Sequence, residues 1–176
     1  MGREASPTGC VIESQCVKSA EKRGRVDLHG YDAGKKIKGK KRHILVDTQG
    51  LLMHAIVHSA DIQDRDGGAL LMASLFGAFP FLIKLYADGG YQGPEFQSAV
   101  KRILARVNVE IVKRSDQATG FVALSKRWIV ERTFAWLSRF RRLARDFERY
   151  ARTVAAFIHL AMIRIMLKRL VASSSS

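Results

Sequence analysis

Apolar residues in the first part of the chain follow patterns typical of β-strands. Residues 10–17 are rich in β-branched side chains, and two further apolar runs, residues 43–47 and 51–58, are separated by Thr48-Gln49-Gly50. A polar, glycine-containing break between two strand-like runs predicts a hairpin. The intervening residues 18–42 are polar and show no clear period, so we predict a loop there.

The middle of the chain is predicted to contain a helix followed by a buried strand. Residues 67–79 have a helical pattern, and the preceding Asp61, Asp64 and Asp66 suit the positive end of a helix, where we interpret them as capping residues. Residues 81–87 form a continuous apolar run, as expected for a strand buried on both faces.

The remaining segments continue this alternation and then become helical. We predict a helix beginning at Pro94, a half-exposed strand at 107–111, and long helices over about 125–147 and 152–171. Three antiparallel strands followed by helix-alternating strands make a mixed α/β sheet flanked by helices. The ribonuclease-H-like fold has this order of elements, and we predict it for this chain.

The net charge of the chain indicates the kind of partner that it binds. The 176 residues include 30 Lys+Arg and 16 Asp+Glu, which gives a net charge of +14. The excess is uneven, because basic regions flank residues 61–100, where acids outnumber bases. A hydrophobic content of 47% is enough for a packed core, so the chain is not a disordered basic tail. A polyanion such as DNA is the natural partner of this surface, and no membrane association is expected.

Three carboxylates stand out by their positions. Glu13 lies in the first strand, Asp88 follows the buried strand immediately before Gly89-Gly90, and Glu131 lies in the first long helix. Mg²⁺ prefers oxygen ligands, and two such ions can stabilise both oxygens in phosphodiester chemistry. The alternatives are that Asp88 is a turn or cap residue, that Glu13 faces solvent, and that Glu131 pairs with Arg127 four residues earlier.

Two groups of cations are candidates for phosphate contacts. Six cations fall within eight positions of the predicted loop: Lys35, Lys36, Lys38, Lys40, Lys41 and Arg42. On the predicted long helix, Arg127, Arg142 and Arg145 lie within about 40° of Glu131. Contacts of this kind position DNA without selecting its sequence. A localisation signal, a heparin-like patch and a solvated arginine face are the alternatives.

Several ordered motifs resemble a known protein family. They are Val-Ile-Glu-Ser-Gln-Cys-Val-Lys at 11–18, the stretch 30–47, Asp-Ile-Gln-Asp-Arg-Asp-Gly at 61–67, Ala-Asp-Gly-Gly-Tyr at 87–91 and Val-Glu-Arg-Thr-Phe-Ala-Trp-Leu at 130–137. They resemble the catalytic domain of bacterial insertion-sequence transposases of the DDE class (the IS-four/IS-five type superfamily) over residues 11–170. The resemblance implies a ribonuclease-H-like fold, two Mg²⁺ or Mn²⁺ ions, and DNA strand cleavage and transfer at element ends.

The resemblance also assigns roles by position. Asp88 and Glu131 match the second and third catalytic acids, and Arg127 matches an arginine four residues before the glutamate. The tyrosine that precedes this arginine in the family is replaced by Leu124, and the first acid, an aspartate in the family, is Glu13. The longer side chain suggests an alternative, a catalytically inactive, truncated remnant that binds DNA non-specifically. A structure-selective nuclease is a third candidate.

The resemblance also implies the domain organisation, the partners and the location of the chain. We expect a flexible segment at 1–9, a catalytic domain at 10–171 without an N-terminal DNA-recognition domain, and a disordered tail at 172–176. The expected partners are double-stranded DNA at element ends and target, and a homo-oligomer or a companion frame product. The expected location is the bacterial cytoplasm, in association with the nucleoid.

Overall fold

Six strands and five helices make up the part of the chain that the computed structural model describes, residues 6–20, 30–112 and 126–174. The strands are β1 (Gly9–Lys18), β2 (Gly30–Asp32), β3 (Ile37–Asp47), β4 (Leu52–Ser59), β5 (Lys84–Ala87) and β6 (Asn108–Ile111). The helices are α1 (Asp64–Ala73), α2 (Pro94–Ile103), α3 (Arg127–Ser138), α4 (Arg141–Ala144) and α5 (Ala151–Ser174). A short 3-10 turn covers Gly89–Tyr91.

All six strands belong to one mixed sheet. β1 is antiparallel to β3 and parallel to β5, and β5 is parallel to β6. β3 also pairs antiparallel with β4 and, at its beginning, with β2. The sheet order is therefore β4-β3-β1-β5-β6, with α1 and α2 in the two connections that precede and follow β5. This is the ribonuclease-H-like arrangement that the order of sequence elements predicted, with three antiparallel strands followed by two parallel ones.

Each face of the sheet carries its own hydrophobic core. Neighbouring residues of a strand point to opposite faces, so Ile12 and Leu45 enter one core while Val11 and Ile44 enter the other. Helices α1 and α2 cover the first core, and α3, α4 and α5 cover the second. Each fully buried side chain of this size contributes about 1.5–3 kcal/mol. The sheet is thus held between two helical layers.

The predicted loop over residues 18–42 is wrong in its second half. Residues 33–36 form a turn, and Ile37–Asp47 is the longest strand of the sheet. β1 supplies the backbone partner, with Gln15, Cys16 and Val17 opposite Arg42, Lys41 and Lys40. Strand pairing therefore overrides the polar composition of this stretch, because its cations find partners inside the protein.

The predicted helix over 125–147 is divided in the structure. α3 ends at Ser138, Phe140 has an extended backbone (φ −87°, ψ 115°), and α4 is only four residues long. In an unbroken helix Asp146 would lie about 60° from Glu131 on the polar face. The break instead buries Asp146 to 2% exposure and places Leu143 in the second core.

The outer helices also differ from the sequence prediction at their ends. α1 stops at Ala73, before the left-handed Gly77 (φ 75°), although its helical pattern continued to residue 79. α5 extends to Ser174 and so includes residues 172–174, which the sequence placed in a disordered tail. Across the described ranges, no helix combines the length and apolar character needed to cross a membrane.

Candidate active site

Two of the three predicted carboxylates are brought together because β1 and β5 are parallel neighbours. Their pairing extends to Val11 opposite Tyr86. Glu13 in β1 and Asp88, which directly follows β5, are each two residues beyond this pair. Both residues line one cleft between the middle of β1, the end of β5 and the start of α3. The sheet register therefore places these two acids beside each other, as expected for neighbouring parallel strands.

The Glu13 carboxyl is buried next to a second negative charge. Burial, and after it the charge of Asp88, raises the pKa of Glu13 to about 7, because both disfavour the ionised form. The backbone N–H of Ser14 donates a hydrogen bond to Glu13 Oε1 at 3.0 Å and acts in the opposite direction. A cation between the two carboxylates would relieve this repulsion.

Asp88 has a structural role as well as a position in the cleft. Its Oδ1 accepts a hydrogen bond from the backbone N–H of Gly90 at 2.9 Å, which caps the 3-10 turn over Gly89–Tyr91. The turn alternative from the sequence therefore describes part of what this side chain does. The cap also fixes the carboxylate at the end of β5.

The third predicted acid, Glu131, is linked to the other two through an arginine. α3 packs against β1 through the second core, and Glu131 lies on its exposed side. Arg127 Nε is 3.2 Å from Glu131 Oε1 and 3.7 Å from Glu13 Oε2. The i,i+4 pair that the sequence offered as an alternative is thus present, and the same guanidinium also reaches the buried acid.

This donor set fits a hard divalent ion in part. Within residues 6–20, 30–112 and 126–174, no three His, Cys, Asp or Glu side chains form a ready metal-binding group. Glu13 and Asp88 nevertheless supply carboxylate oxygens at one point. Mg²⁺ is commonly held by one or two carboxylates together with substrate phosphate and waters. Glu131, in the described arrangement, is paired with Arg127 and does not line the cleft.

Asp64 is a neighbour of the site that the sequence analysis missed. A Cβ placed on Gly90 would be 3.1 Å from Asp64 Oδ2 and 3.1 Å from Asp88 Oδ1, so these two carboxylates flank the same glycine. Asp64 Oδ1 is 2.8 Å from Lys41 Nζ, and Lys35 Nζ is 3.8 Å from its Oδ2. Burial alone would raise the pKa of Asp64, but these lysines lower it overall.

The capping interpretation of Asp64 is therefore incomplete. The residue before it, Gln63, is the N-cap of α1 and makes no side-chain capping bond. The Asp64 carboxylate instead balances charge from β3. The only sequence signal was its place in the family-like stretch 61–67, since nothing local shows that a lysine 23 positions earlier lies beside it.

Three of the six cations that the sequence analysis proposed as phosphate contacts at 35–42 are buried inside the protein. Lys40, Lys41 and Arg42 are at most 3% exposed. Lys40 Nζ donates to the carbonyl of Glu148 and pairs with Asp146, and Arg42 Nη1 donates to the carbonyl of Leu143 at 2.7 Å. Since these groups are committed to internal partners, the sequence prediction that these three residues contact DNA is wrong.

The other predicted cations remain available at the surface. Lys35, Lys36 and Lys38 are exposed, with Lys36 in a left-handed turn position (φ 53°). Arg145 is exposed, and Arg142 is 60% exposed and pairs with Glu148 Oε1 at 2.5 Å. Because α3 ends at Ser138, Arg142 and Arg145 do not continue the helix face of Glu131. The predicted arginine row is therefore not a feature of this fold.

Comparison with known proteins agrees with these features. The model of the family described as transposase DDE domain matches residues 4–166. A transposase for insertion sequence element IS402 of Burkholderia cepacia is 34% identical over 135 residues, which cover 69% of this chain and 60% of that protein. This chain thus corresponds to less than two thirds of the curated relative's length.

A solved structure gives a more distant likeness. A chain of the simian T-cell lymphotropic virus intasome in complex with PP2A regulatory subunit B56 gamma is similar with a TM-score of 0.48 and 14% identity, over 85% of this chain and 52% of that chain. The family model spans most of the sequence, including Glu13, Asp88 and Glu131. The resemblance seen in the sequence motifs is confirmed, and the chain belongs to the transposase DDE domain family.

Proposed function

We propose that this chain is the catalytic domain of an insertion-sequence transposase that cleaves and joins DNA phosphodiester bonds. The observation that carries the proposal is the buried Glu13 carboxyl beside Asp88, with Glu131 one arginine away. DDE transposase domains generally use divalent metal ions, and a pair of repelling carboxylates suits such an ion. We extend this to two Mg²⁺ or Mn²⁺ ions shared by the three acids.

In this proposal, each residue of the site has its own role. A bound divalent metal would supply activation of a water or a 3′-hydroxyl and stabilise charge on the scissile phosphate. Glu13 and Asp88 would hold it, and Glu131 would complete the set from α3. Arg127, once released from Glu131, is placed to pair with a DNA phosphate, where an arginine can bind two oxygens.

DNA would lie over the cations that remain exposed. Lys35 and Lys36 lie in the turn before β3, and Lys38 lies at the beginning of that strand. Lys35 Nζ is within hydrogen-bonding distance of Ser14 Oγ at 3.4 Å, next to Glu13. These side chains would hold the backbone of double-stranded DNA near the carboxylates. Contacts of this kind are sequence-independent and weaken as salt rises.

A second candidate function is non-catalytic DNA binding, and Glu13 favours it. The side chain is one methylene longer than the family's aspartate, and its carboxylate lies 3.7 Å from Arg127 Nε. A displacement of about 1 Å in a preorganised site can lower the rate on the order of 100-fold. On this basis Glu13→Asp should increase cleavage by this chain.

Nicking of a supercoiled plasmid with Mn²⁺ tests both candidates. We expect metal-dependent nicking by the native chain, faster nicking by Glu13→Asp, and none by Asp88→Asn. Glu110→Gln, which alters an exposed ion pair on β6, is the matched control and should behave as the native chain does. Equal nicking by Asp88→Asn contradicts the catalytic proposal. Salt-sensitive binding without nicking by either the native chain or Glu13→Asp supports the non-catalytic candidate.

A further inference from the structure

Asp64 adds a fourth carboxylate to the surroundings of the candidate active site. It is the first residue of α1, and its Oδ2 atom lies on one side of Gly90 while Asp88 Oδ1 lies on the other. The point that a Cβ of Gly90 would occupy is 3.1 Å from each of these two oxygens. Because glycine carries no side chain, nothing from residue 90 separates the two carboxylates.

The buried Tyr91 hydroxyl shows that three acids act on one region. Tyr91 is fully buried, and its hydroxyl oxygen lies 2.9 Å from His43 Nδ1. Burial raises the pKa of Tyr91 well above its usual value, and the next causes are the charges of three carboxylates, Glu13, Asp64 and Asp88. These acids come from β1, from the beginning of α1 and from the end of β5, and the fold brings them around the same group.

Two lysines fix how the Asp64 carboxylate is presented. Lys41 Nζ lies 2.8 Å from Asp64 Oδ1, and the lysine side chain is only 4% exposed, so this oxygen is held from inside the protein. The other oxygen, Oδ2, is the one that flanks Gly90. Lys35 Nζ lies 3.8 Å from Oδ2 and 3.4 Å from Ser14 Oγ, and its side chain is 42% exposed. A positive charge is therefore already accommodated on the Oδ2 side of the carboxylate.

We propose that Asp64 is a positioning residue of the metal centre, where its Oδ2 atom holds a water of the bound divalent ion on the side of Asp88. The inference rests on the proposed function and adds a residue to its site. Mg²⁺ and Mn²⁺ prefer oxygen ligands, and Mg²⁺ keeps several waters when one or two carboxylates bind it. Contact through water suits Asp64, because no three acids, histidines or cysteines form a closed metal-binding group in the described part of the chain.

The alternative is that Asp64 only compensates the buried charge of Lys41, and Asp32 is the matched control for that role. Asp32, the last residue of β2, has its Oδ2 atom 3.3 Å from the same Lys41 Nζ. The two acidic side chains are similarly buried, at 13% and 19% exposure. Asp64→Asn and Asp32→Asn therefore each remove one negative partner of Lys41. Only Asp64→Asn alters the oxygen that flanks Gly90.

Mn²⁺ binding without DNA, followed by electron paramagnetic resonance of the unbound ion, tests the inference. Loss of a group that holds a metal's surroundings in place typically weakens metal binding about 10- to 100-fold, and we expect this loss in Asp64→Asn. Asp32→Asn should bind Mn²⁺ within about threefold of the native chain. Native affinity in Asp64→Asn, or an equal loss in Asp32→Asn, overturns the proposal.

Double variants decide the question if the loss of one partner of Lys41 unfolds the chain. Lys41→Met with Asp64→Asn, and Lys41→Met with Asp32→Asn, both remove the buried ammonium together with one of its acids and keep the native net charge. Only the first should bind Mn²⁺ more weakly than the second, by the same factor of about 10 to 100. Equal affinities in the two double variants overturn the proposal.

Asp88→Asn separates this inference from the proposed function. If Asp88→Asn binds Mn²⁺ as well as the native chain does, the metal centre of the proposed function is refuted. If Asp88→Asn loses Mn²⁺ while Asp64→Asn keeps the native affinity, the metal centre stands and only the role of Asp64 is refuted.

Discussion

Asp146 compensates two cations that are buried in β3, and its replacement is the sharpest test of how this fold is held together. Lys40 Nζ is 3.2 Å from Asp146 Oδ2, and the two side chains are 0% and 1% exposed. The charge of Asp146 also acts on the buried Arg42 guanidinium. Ser19 Oγ donates to the same carboxylate at 2.7 Å, which ties the end of β1 to the segment after α4. Asp146→Asn keeps the shape but removes the compensating charge.

The expected cost is large because a charge is left without its partner in a buried site. Breaking a buried ion pair on one side typically destabilises a protein by about 3–5 kcal/mol, against a total stability of about 5–15 kcal/mol. In a chain of this length each kcal/mol lowers Tm by about 2–4 °C, so Tm should fall by about 6–20 °C. The exposed pair Lys84–Glu110, with side chains 33% and 48% exposed, provides the control. Glu110→Gln should lower the stability far less than Asp146→Asn, because water screens an exposed pair.

Urea unfolding of the three proteins measures these differences. A loss in Asp146→Asn no larger than that in Glu110→Gln would refute the claim that this pair compensates buried charge. A double variant, Lys40→Met with Asp146→Asn, removes both members and should recover part of the loss, because an uncompensated charge costs more than an absent pair. If the double variant is less stable than Asp146→Asn, the reasoning is also wrong.

Three further predictions concern the core and the site. Gly67→Ala should lower the free energy of unfolding in urea by about 1–3 kcal/mol, because the new Cβ collides with Nε2 of His43 and of His58. Gly89→Ala, with open space at its Cβ, should be nearly neutral. Equal losses in the two variants would contradict the packing. Burial, and next the charge of His58, lowers the pKa of His43 from 6.5 to about 3. Between these pH values the unfolded chain binds a proton that the folded chain does not. The stability of the fold should therefore decrease as the pH drops below about 6.5. His43→Asn should flatten that slope between pH 4 and 6, and an unchanged slope would show that other groups cause it. Arg127→Gln should strengthen Mn²⁺ binding in calorimetry without DNA, because a competing cation leaves two carboxylates; unchanged binding would place the metal elsewhere.

Local pattern was sufficient to predict the sheet wherever the strands are apolar. The hairpin of β3 and β4 was visible as two apolar runs divided by a turn, and β5 as a third apolar run. The strand itself covers only Lys84–Ala87, and Phe81 and Ile83 of the predicted run are exposed. The beginning of β3 was not visible, since a lysine-rich stretch has the composition of a solvated loop. Its cations are buried only because Asp146, 106 residues later, and Asp64 reach them through the fold.

The division of the long helix had a similar cause. The apolar stripe of α3 continues past Ser138 at helical spacing, so the pattern alone predicts no end there. The break is fixed by tertiary contacts, with Leu143 in the second core and Asp146 bonded to Ser19. Such contacts join residues more than a hundred positions apart, and a local period does not report them.

The acids of the site could be named from the sequence, but how they meet could not. Glu13 lies in the middle of β1 and Asp88 directly follows β5, and the parallel pairing of these strands, which no local pattern shows, brings the two together. The double contact of Arg127 with Glu13 and Glu131 was not predictable, since it depends on how α3 lies against β1. Asp64 was not assigned to the site, because helix capping already explains an aspartate at the beginning of α1.

We propose above all that Glu13 and Asp88 together hold a divalent ion between the middle of β1 and the end of β5. Anomalous diffraction from crystals soaked in Mn²⁺ tests it directly, with and without a bound oligonucleotide. We predict a peak within coordination distance of both carboxylates, with the Glu131 carboxylate turned from Arg127 toward it, and no peak in Asp88→Asn. Mn²⁺ bound away from Glu13, or bound equally well in Asp88→Asn, would contradict the account.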